Sequence, residues 1–261
     1  MADAKKRVGR AYTGDDRPWR GRAVTVMGLG RFGGGVGVTR WLAGLGARVT
    51  VSDKAGADEL AESVAALAGL DVALHLGGHD EADFVNCELL VVNPAVEFDS
   101  PLVAGARRAG AEITTEINLF LAYCRAAVVG ITGSAGKSTT TAMAGAILAR
   151  SRKVHVGGNI GASLLAELPA IAADHVVVLE LSSFQLFYLP LLGRGPSVAV
   201  VTNLHPNHLD RHETMAHYAD CKKNIFRFQQ GGDVLILNRD GLVVAWASEA
   251  PGEVEFFSAD D

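Results

Sequence analysis

The sequence is poor in the features that staple, span or coat a protein. Its 261 residues hold three cysteines, Cys87, Cys124 and Cys221, with no Cys-x-x-Cys spacing. That argues against a disulfide framework or a cysteine-based zinc site and predicts three buried small side chains. Its apolar stretches, such as Ala126 to Ile131 and His175 to Leu181, fall far short of the roughly 20 residues that cross a bilayer. The opening 22 residues are basic and polar without an apolar core, so no secretory signal is expected and the cytoplasm is the expected compartment. A net charge of -5 provides no broad basic face for nucleic acid.

What is present is a chain with 49% hydrophobic residues, enough for a substantial core. Arg22 to Gly30 reads as a strand ending in glycines, Val36 to Leu45 as a helix, and Ala47 to Asp53 as a second strand. A helix over Ala57 to Ala68, strands at Asp71 to Leu74 and Cys87 to Asn93, a helix over Leu102 to Ala109 and a strand at Ala111 to Glu116 continue the alternation. A second series begins near Arg125. It comprises a strand, a helix over Ser138 to Ala149, a strand at Lys153 to Gly157, a helix over Ala162 to Leu168, strands at His175 to Leu181 and Ser197 to Asn203, a helix over His217 to Phe228 and a strand at Asp233 to Asn238. This rhythm predicts an α/β protein with parallel, helix-covered sheets. The expected organisation is a polar tail over 1–20, a Rossmann-like domain over 21–124 and a P-loop α/β domain over 125–261. The chain reaches Asp261 soon after another apolar piece, so the second domain is expected to be incomplete.

Two glycine clusters carry chemistry. Gly28-Leu29-Gly30-Arg31-Phe32-Gly33 fits G-x-G-x-x-G between a strand and a helix, with Asp53 ending the next strand. In this reading Gly28 permits the tight turn, Gly30 the close approach of a diphosphate and Gly33 close helix packing. A dinucleotide and a nucleotide diphosphate fit equally well. The second cluster, GITGSAGKST at Gly130 to Thr139, is a P-loop of variant spacing, with Ile131 where the strict pattern has glycine. Glycines 130, 133 and 136 are expected to wrap a polyphosphate, Lys137 to reach its outer phosphates and Ser138 to take a Mg²⁺ position. Glu180, after a run of apolar strand residues, is the expected acidic metal ligand. Thr202 to His212 adds three histidines beyond another strand, on the edge where α/β sheets bind ligands. His208 and His212 have an i, i+4 spacing compatible with zinc, but no local cysteine or H-E-x-x-H pattern accompanies them.

Together with GGNIG at Gly157 to Gly161, LELSSFQL at Leu179 to Leu186 and YADCKKNIF at Tyr218 to Phe226, these motifs resemble the Mur ligase family, specifically its D-glutamate-adding branch. The resemblance implies ATP-dependent addition of D-glutamate to UDP-N-acetylmuramoyl-L-alanine by a monomeric enzyme, through an acyl phosphate, in peptidoglycan precursor synthesis. It implies ATP contacts at Gly133, Ser134, Ala135, Gly136, Lys137, Ser138 and Thr139. It implies UDP-substrate contacts at Gly30, Arg31, Phe32, Asp53, Lys54 and Asn159. Two Mg²⁺ ions would involve Ser138, Glu180, His208 and a carbamoylated Lys222, and Lys137, Glu180, His208 and Lys222 would form the catalytic set. By the same resemblance, the further Rossmann-like domain that presents the amino acid in the family is expected to be missing from these residues.

Ala135 stands where the family usually has asparagine, and Asn93-Pro94-Ala95 where it usually has Ser-Pro-Gly. Three other readings compete: a nucleotide-binding fragment without catalysis, a sibling Mur ligase or folylpolyglutamate synthase, and a nicotinamide-dependent oxidoreductase. The last leaves the Gly-Lys-Ser sequence, Glu180 and His208 unexplained.

Overall fold

The structure, a computed structural model, describes residues 18–30 and 33–259. Its contacts divide the chain into two compact units, one of Met1–Tyr123 with Gly161–Pro169, the other of Cys124–Ile160 with Ala170–Asp261. No helix among the described residues is long and apolar enough to cross a membrane.

The first unit runs β1 (Ala23–Met27), α1 (Gly34–Gly44), β2 (Arg48–Asp53), α2 (Ala61–Ala65), β3 (Val72–Leu76), α3 (Glu81–Val85), β4 (Leu89–Val92), α4 (Pro101–Arg108), β5 (Glu112–Thr114) and α5 (Glu116–Tyr123). Its five strands are parallel in the order β3-β2-β1-β4-β5. Strand order reverses at β1 and β4, the position where such sheets open a ligand crevice. Every residue of β4 is buried, as expected for a strand covered on both faces.

The glycine turn after β1 is built differently from the fingerprint reading. A Cβ on Gly33 would meet nothing within 4 Å, whereas one on Gly35 would lie 2.2 Å from the Leu29 carbonyl oxygen. Gly35, not Gly33, therefore lets α1 pack closely on the turn; Gly33 adopts φ 86 and caps the helix. Trp19, Trp41 and Tyr123 form an aromatic cluster with ring centroids 5.5 to 6.0 Å apart.

The second unit contains β6 (Ala127–Thr132), α6 (Lys137–Leu148), β7 (Val154–Gly158), β8 (Val176–Glu180), α7 (Ser183–Phe187), β9 (Val198–Val201), α8 (Leu209–His212), α9 (Met215–Arg227), β10 (Val234–Asn238) and β11 (Glu253–Phe257). The strands form one parallel sheet in the order β11-β10-β9-β6-β8-β7. Hence β8 and β9 flank β6, and the segments leaving these three strands are neighbours.

Several elements depart from the sequence-based expectation. The helix expected over Ala57 to Ala68 is regular only across α2, and the one expected over Ala162 to Leu168 is a 3₁₀ segment, Leu164–Ala170, interrupted by Pro169. Proline lacks the N–H that continues an α-helix. The strand expected to reach Glu116 ends at Thr114, and Glu116 opens α5. Helix α5 is buried on all sides from Ile117 to Tyr123, so it has no polar stripe to reveal its period. Helices α3, α7 and α8 are too short for periodicity to register.

Replacing Gly35 by alanine drives a methyl into the Leu29 carbonyl and is expected to destabilise the first unit by about 1–3 kcal/mol. Urea unfolding followed through the Trp19–Trp41 fluorescence checks this. An unchanged midpoint would show that α1 does not depend on that close approach.

Candidate functional site

The residues with chemical potential in the second unit collect where β8, β6 and β9 end. The chain leaving β6 turns at Gly133 and reaches Gly136, whose φ of 79 caps α6. Beyond it, the N–H groups of Lys137, Ser138 and Thr139 fall in the first helical turn, where no intrahelical acceptor exists. These donors and the positive end of the helix make an anion cradle. Ser138 and Thr139 are exposed, while Lys137 is half-buried with its Nζ 3.3 Å from the Ser134 carbonyl oxygen.

Asn203, two residues past the end of β9, fixes the preceding half of this loop. Its Oδ1 accepts from the N–H of Ser134 at 3.1 Å and of Ala135 at 2.9 Å, and its Nδ2 donates to the Ala135 carbonyl at 3.0 Å. Thr202 Oγ1 donates to the same carbonyl at 2.7 Å. Two of the seven expected ATP contacts, Ser134 and Ala135, thus commit their N–H groups within the protein. Gly130 also departs from expectation: it lies inside β6, where a Cβ would come within 2.7 Å of Pro196 Cγ, so it permits packing and does not wrap a phosphate.

Lys222 lies on the buried face of α9 and is 1% exposed. Its Nζ donates to the Gly133 carbonyl at 2.8 Å and to Thr132 Oγ1 at 3.4 Å, and lies 4.6 Å from the Tyr218 ring centroid. Burial, and then the charge of Lys137, lower its pKa to about 7. The adjacent Lys223 points elsewhere, pairing with Glu249 at 2.5 Å over the Trp246 ring. Tyr218, one turn before Lys222, places its hydroxyl 3.2 Å from Ser134 Oγ.

Glu180 closes β8 and is 2% exposed. Its Oε1 accepts from Asn159 Nδ2 at 2.8 Å, while its buried Oε2 has no hydrogen-bond partner among the described residues. The approach of Asn159 requires Gly158, which adopts φ 97 and where a Cβ would lie 2.2 Å from the Glu180 carbonyl oxygen. That carbonyl accepts the Asn159 N–H at 2.8 Å. Ser182 then caps α7 through a reciprocal capping box with Gln185.

The histidines of Thr202 to His212 do not act as one group. His205 and His208 are exposed, whereas His212 is fully buried with its Nε2 2.9 Å from Ser183 Oγ. Burial, followed by the charges of His217, His208, Lys222 and Arg211, lowers the His212 pKa to about 4. His208 at φ 54 and Glu213 at φ 61 hold left-handed conformations on either side of α8. One pocket is lined by Lys137, Asn159, Ser182, Ser183, Phe184, His208, Tyr218 and Lys222. It therefore gathers Lys137, Asn159, His208 and Lys222 from the expected set, and the Asn159 bond joins Glu180 to them.

Gly30, Asp53 and Lys54 belong to the first unit. Asp53 accepts the Gly30 N–H at 3.1 Å and the Ala55 N–H at 2.9 Å, and Lys54 is exposed beside it. Arg31 and Phe32 lie outside the described residues. Asn93 closes the turn from β4 by donating its Nδ2 to the Gly28 carbonyl at 3.2 Å.

Sequence reasoning assigned no role to Asn203, Ser182, Ser183, Phe184 or Tyr218. All five lie within quoted motifs, and Tyr218 also stands at the helical i, i+4 spacing to Lys222. Asn203 meets its loop from 68 and 69 residues away.

A buried lysine with a depressed pKa leaves the native state short of a proton that the unfolded state binds, so its contribution to stability grows as pH rises from about 7 toward 10.5. In bicarbonate-free buffer, Lys222→Met is therefore expected to be more stable than the parent near pH 7, with its advantage shrinking toward the alkaline end. Urea midpoints across that range check it. A pH-independent difference would contradict the depressed pKa.

Residues 131–261 match the Mur ligase middle domain, and residues 22–115 match the Mur ligase MurD-like, N-terminal domain. The chain is 43% identical over 243 residues to UDP-N-acetylmuramoylalanine--D-glutamate ligase of Roseiflexus sp. (strain RS-1), covering 92% of this chain and 52% of that protein. The enzyme of the same name from Symbiobacterium thermophilum is 46% identical over 237 residues, covering 90% and 51%. The chain thus spans about half the length of these curated relatives. Among solved structures, UDP-N-acetylmuramate:L-alanyl-gamma-D-glutamyl-meso-diaminopimelate ligase from Neisseria meningitides shares the fold at TM-score 0.59 and 16% identity, over 91% of this chain and 78% of that one. UDP-N-acetylmuramate-alanine ligase from Thermotoga maritima does so at TM-score 0.53 and 19% identity, over 91% and 53%. On these matches the chain belongs to the Mur ligase family.

Proposed function

We propose that this chain carries the UDP-substrate-binding and ATP-binding parts of a monomeric cytoplasmic ligase that joins D-glutamate to UDP-N-acetylmuramoyl-L-alanine in peptidoglycan precursor synthesis. The observation that carries this reading is the meeting of a P-loop, a buried carboxylate with an unpartnered oxygen and a buried lysine at three adjacent strand ends, in a chain whose relatives are named for this reaction. In this reading Gly30, Arg31, Phe32, Asp53 and Lys54 contact the UDP-substrate, and Asn159 is a further contact to it. Family membership leaves no support for the oxidoreductase reading of the first glycine cluster.

In the proposed reaction the substrate carboxylate attacks the γ-phosphorus of ATP, and the bond to the bridging oxygen breaks to release ADP. The D-glutamate amine then attacks the acyl phosphate carbonyl and phosphate leaves. Lys137 and the first-turn N–H groups of α6 hold the phosphate oxygens and stabilise the charge that builds during transfer. Asn203 and Thr202 keep the loop in shape before the nucleotide arrives, so little reorganisation accompanies binding.

Glu180 Oε2 is a hard oxygen donor, buried and without a hydrogen bond among the described residues, which fits a Mg²⁺ ligand. Two Mg²⁺ ions would be held by Ser138, Glu180, His208 and Lys222, the last as a carbamate. Bound there, the metal would supply neutralisation of the triphosphate charge. Formation of the carbamate requires the neutral amine, which a pKa of about 7 provides. The Nζ lone pair attacks the carbon of CO₂, an N–C bond forms and the amine proton leaves to solvent. A cation is thereby exchanged for an oxygen-donating anion.

Thermal shift measurements test the assignment of the two ligands. Mg·ATP and UDP-N-acetylmuramoyl-L-alanine are each expected to raise the Tm. Lys137→Ala should weaken ATP about ten- to hundredfold, the value of a charged hydrogen bond, while leaving the response to the UDP-substrate intact. An unchanged ATP response in this variant would remove the P-loop lysine from the reading.

A further inference from the structure

A cluster that the proposed reaction does not use lies outside the residues that line the pocket. His217 and Cys221 stand one turn apart on α9, at the i, i+4 spacing that brings side chains together, and His212 ends α8 just before that helix. One potential ligand atom from each of the three lies within 4.8 Å of the other two. Sequence spacing alone offered His208 and His212 as a zinc pair without a cysteine. In the fold His208 is exposed in the pocket, whereas the buried His212 lies with a second imidazole and a thiol.

We propose that His212, His217 and Cys221 form a binding site for a soft divalent cation of the zinc type, with the fourth position open to solvent or an added ligand. Two nitrogens and one sulfur suit zinc, whereas Mg²⁺ prefers oxygen ligands and keeps its waters. The adjacent residues Cys221 and Lys222 therefore serve chemically different sites. Zinc–nitrogen and zinc–sulfur bonds of about 2.0 and 2.3 Å bring tetrahedral ligands to roughly 3.5 Å from one another, so loading draws the three side chains inward by about 1 Å.

The imidazoles already have the supporting contacts that orient metal ligands. His212 Nε2 lies 2.9 Å from Ser183 Oγ, and His217 Nδ1 lies 3.1 Å from the His212 carbonyl oxygen. His212 and Cys221 are buried, and the partly exposed His217 provides the side from which a cation enters. On ligation the Cys221 thiol gives its proton to solvent and binds as thiolate. The cation then links the α8 turn, which begins after His208, to the helix that carries Lys222.

Cobalt(II) titration of the chain tests the site directly, because a thiolate–cobalt bond gives near-ultraviolet charge-transfer absorption that oxygen ligands do not. The expected result is one saturable equivalent showing this absorption, displaced by zinc and insensitive to excess Mg²⁺. Cys221→Ser should abolish the absorption, and His217→Gln should weaken cobalt and zinc by about tenfold or more. His217 is the milder position, so that variant keeps the test usable if Cys221→Ser fails to fold. Absence of charge-transfer absorption in the parent, its survival in Cys221→Ser, or unchanged zinc affinity in His217→Gln would each overturn the proposal. None of these outcomes depends on ATP or the UDP-substrate, so the site stands or falls apart from the ligase reading.

Discussion

The burial of Lys222 against the P-loop is the constraint on which the second unit's site depends. A lysine side chain with 1% exposure must lose its proton or find strong acceptors. Here it reaches the Gly133 carbonyl, lies against the Tyr218 ring and shares its surroundings with Lys137. Burial first, and then the charge of Lys137, lower the proton affinity of the buried lysine. The position of α9 follows: Tyr218 must meet Ser134, and Lys222 must pass beneath the loop.

The same economy of backbone positioning appears at the other two strand ends. Asn203 satisfies the N–H groups of Ser134 and Ala135, and the Gly158 conformation lets Asn159 bond both the backbone and the side chain of Glu180. Parallel strands β8, β6 and β9 turn these local devices into a single site, because all three end at the same edge of the sheet. Cys221 shows how closely two chemistries can sit on one helix. It immediately precedes Lys222 yet belongs to a cluster of nitrogen and sulfur donors.

Much of this was legible because the signals are local. Strands such as Val176–Glu180 are continuous apolar runs with a charged residue at the end, and Gly136-Lys137-Ser138 marks a helix start. Nearby, Lys222 could be preferred over Lys223 only through the family motif; the structure adds the physical distinction, a loop carbonyl for one and Glu249 for the other. What stayed hidden rests on contacts made in three dimensions. The Asn203 clamp spans 68 to 69 residues, Gly35 takes the packing role that the fingerprint gave to Gly33, and α5 is too evenly buried to show a period. The division of the histidine-rich stretch was hidden because spacing in sequence says nothing about which rings enter the core.

The central claim is that the fold buries Lys222 against the P-loop and lowers its pKa to about 7, as carbamate formation requires. Carbon-13 NMR of the chain in ¹³C-bicarbonate with Mg²⁺ tests it most directly. A protein-bound carbamate resonance that persists in Lys223→Arg and disappears in Lys222→Arg is the predicted result. No such resonance in the parent chain, or one that survives in Lys222→Arg, would contradict it.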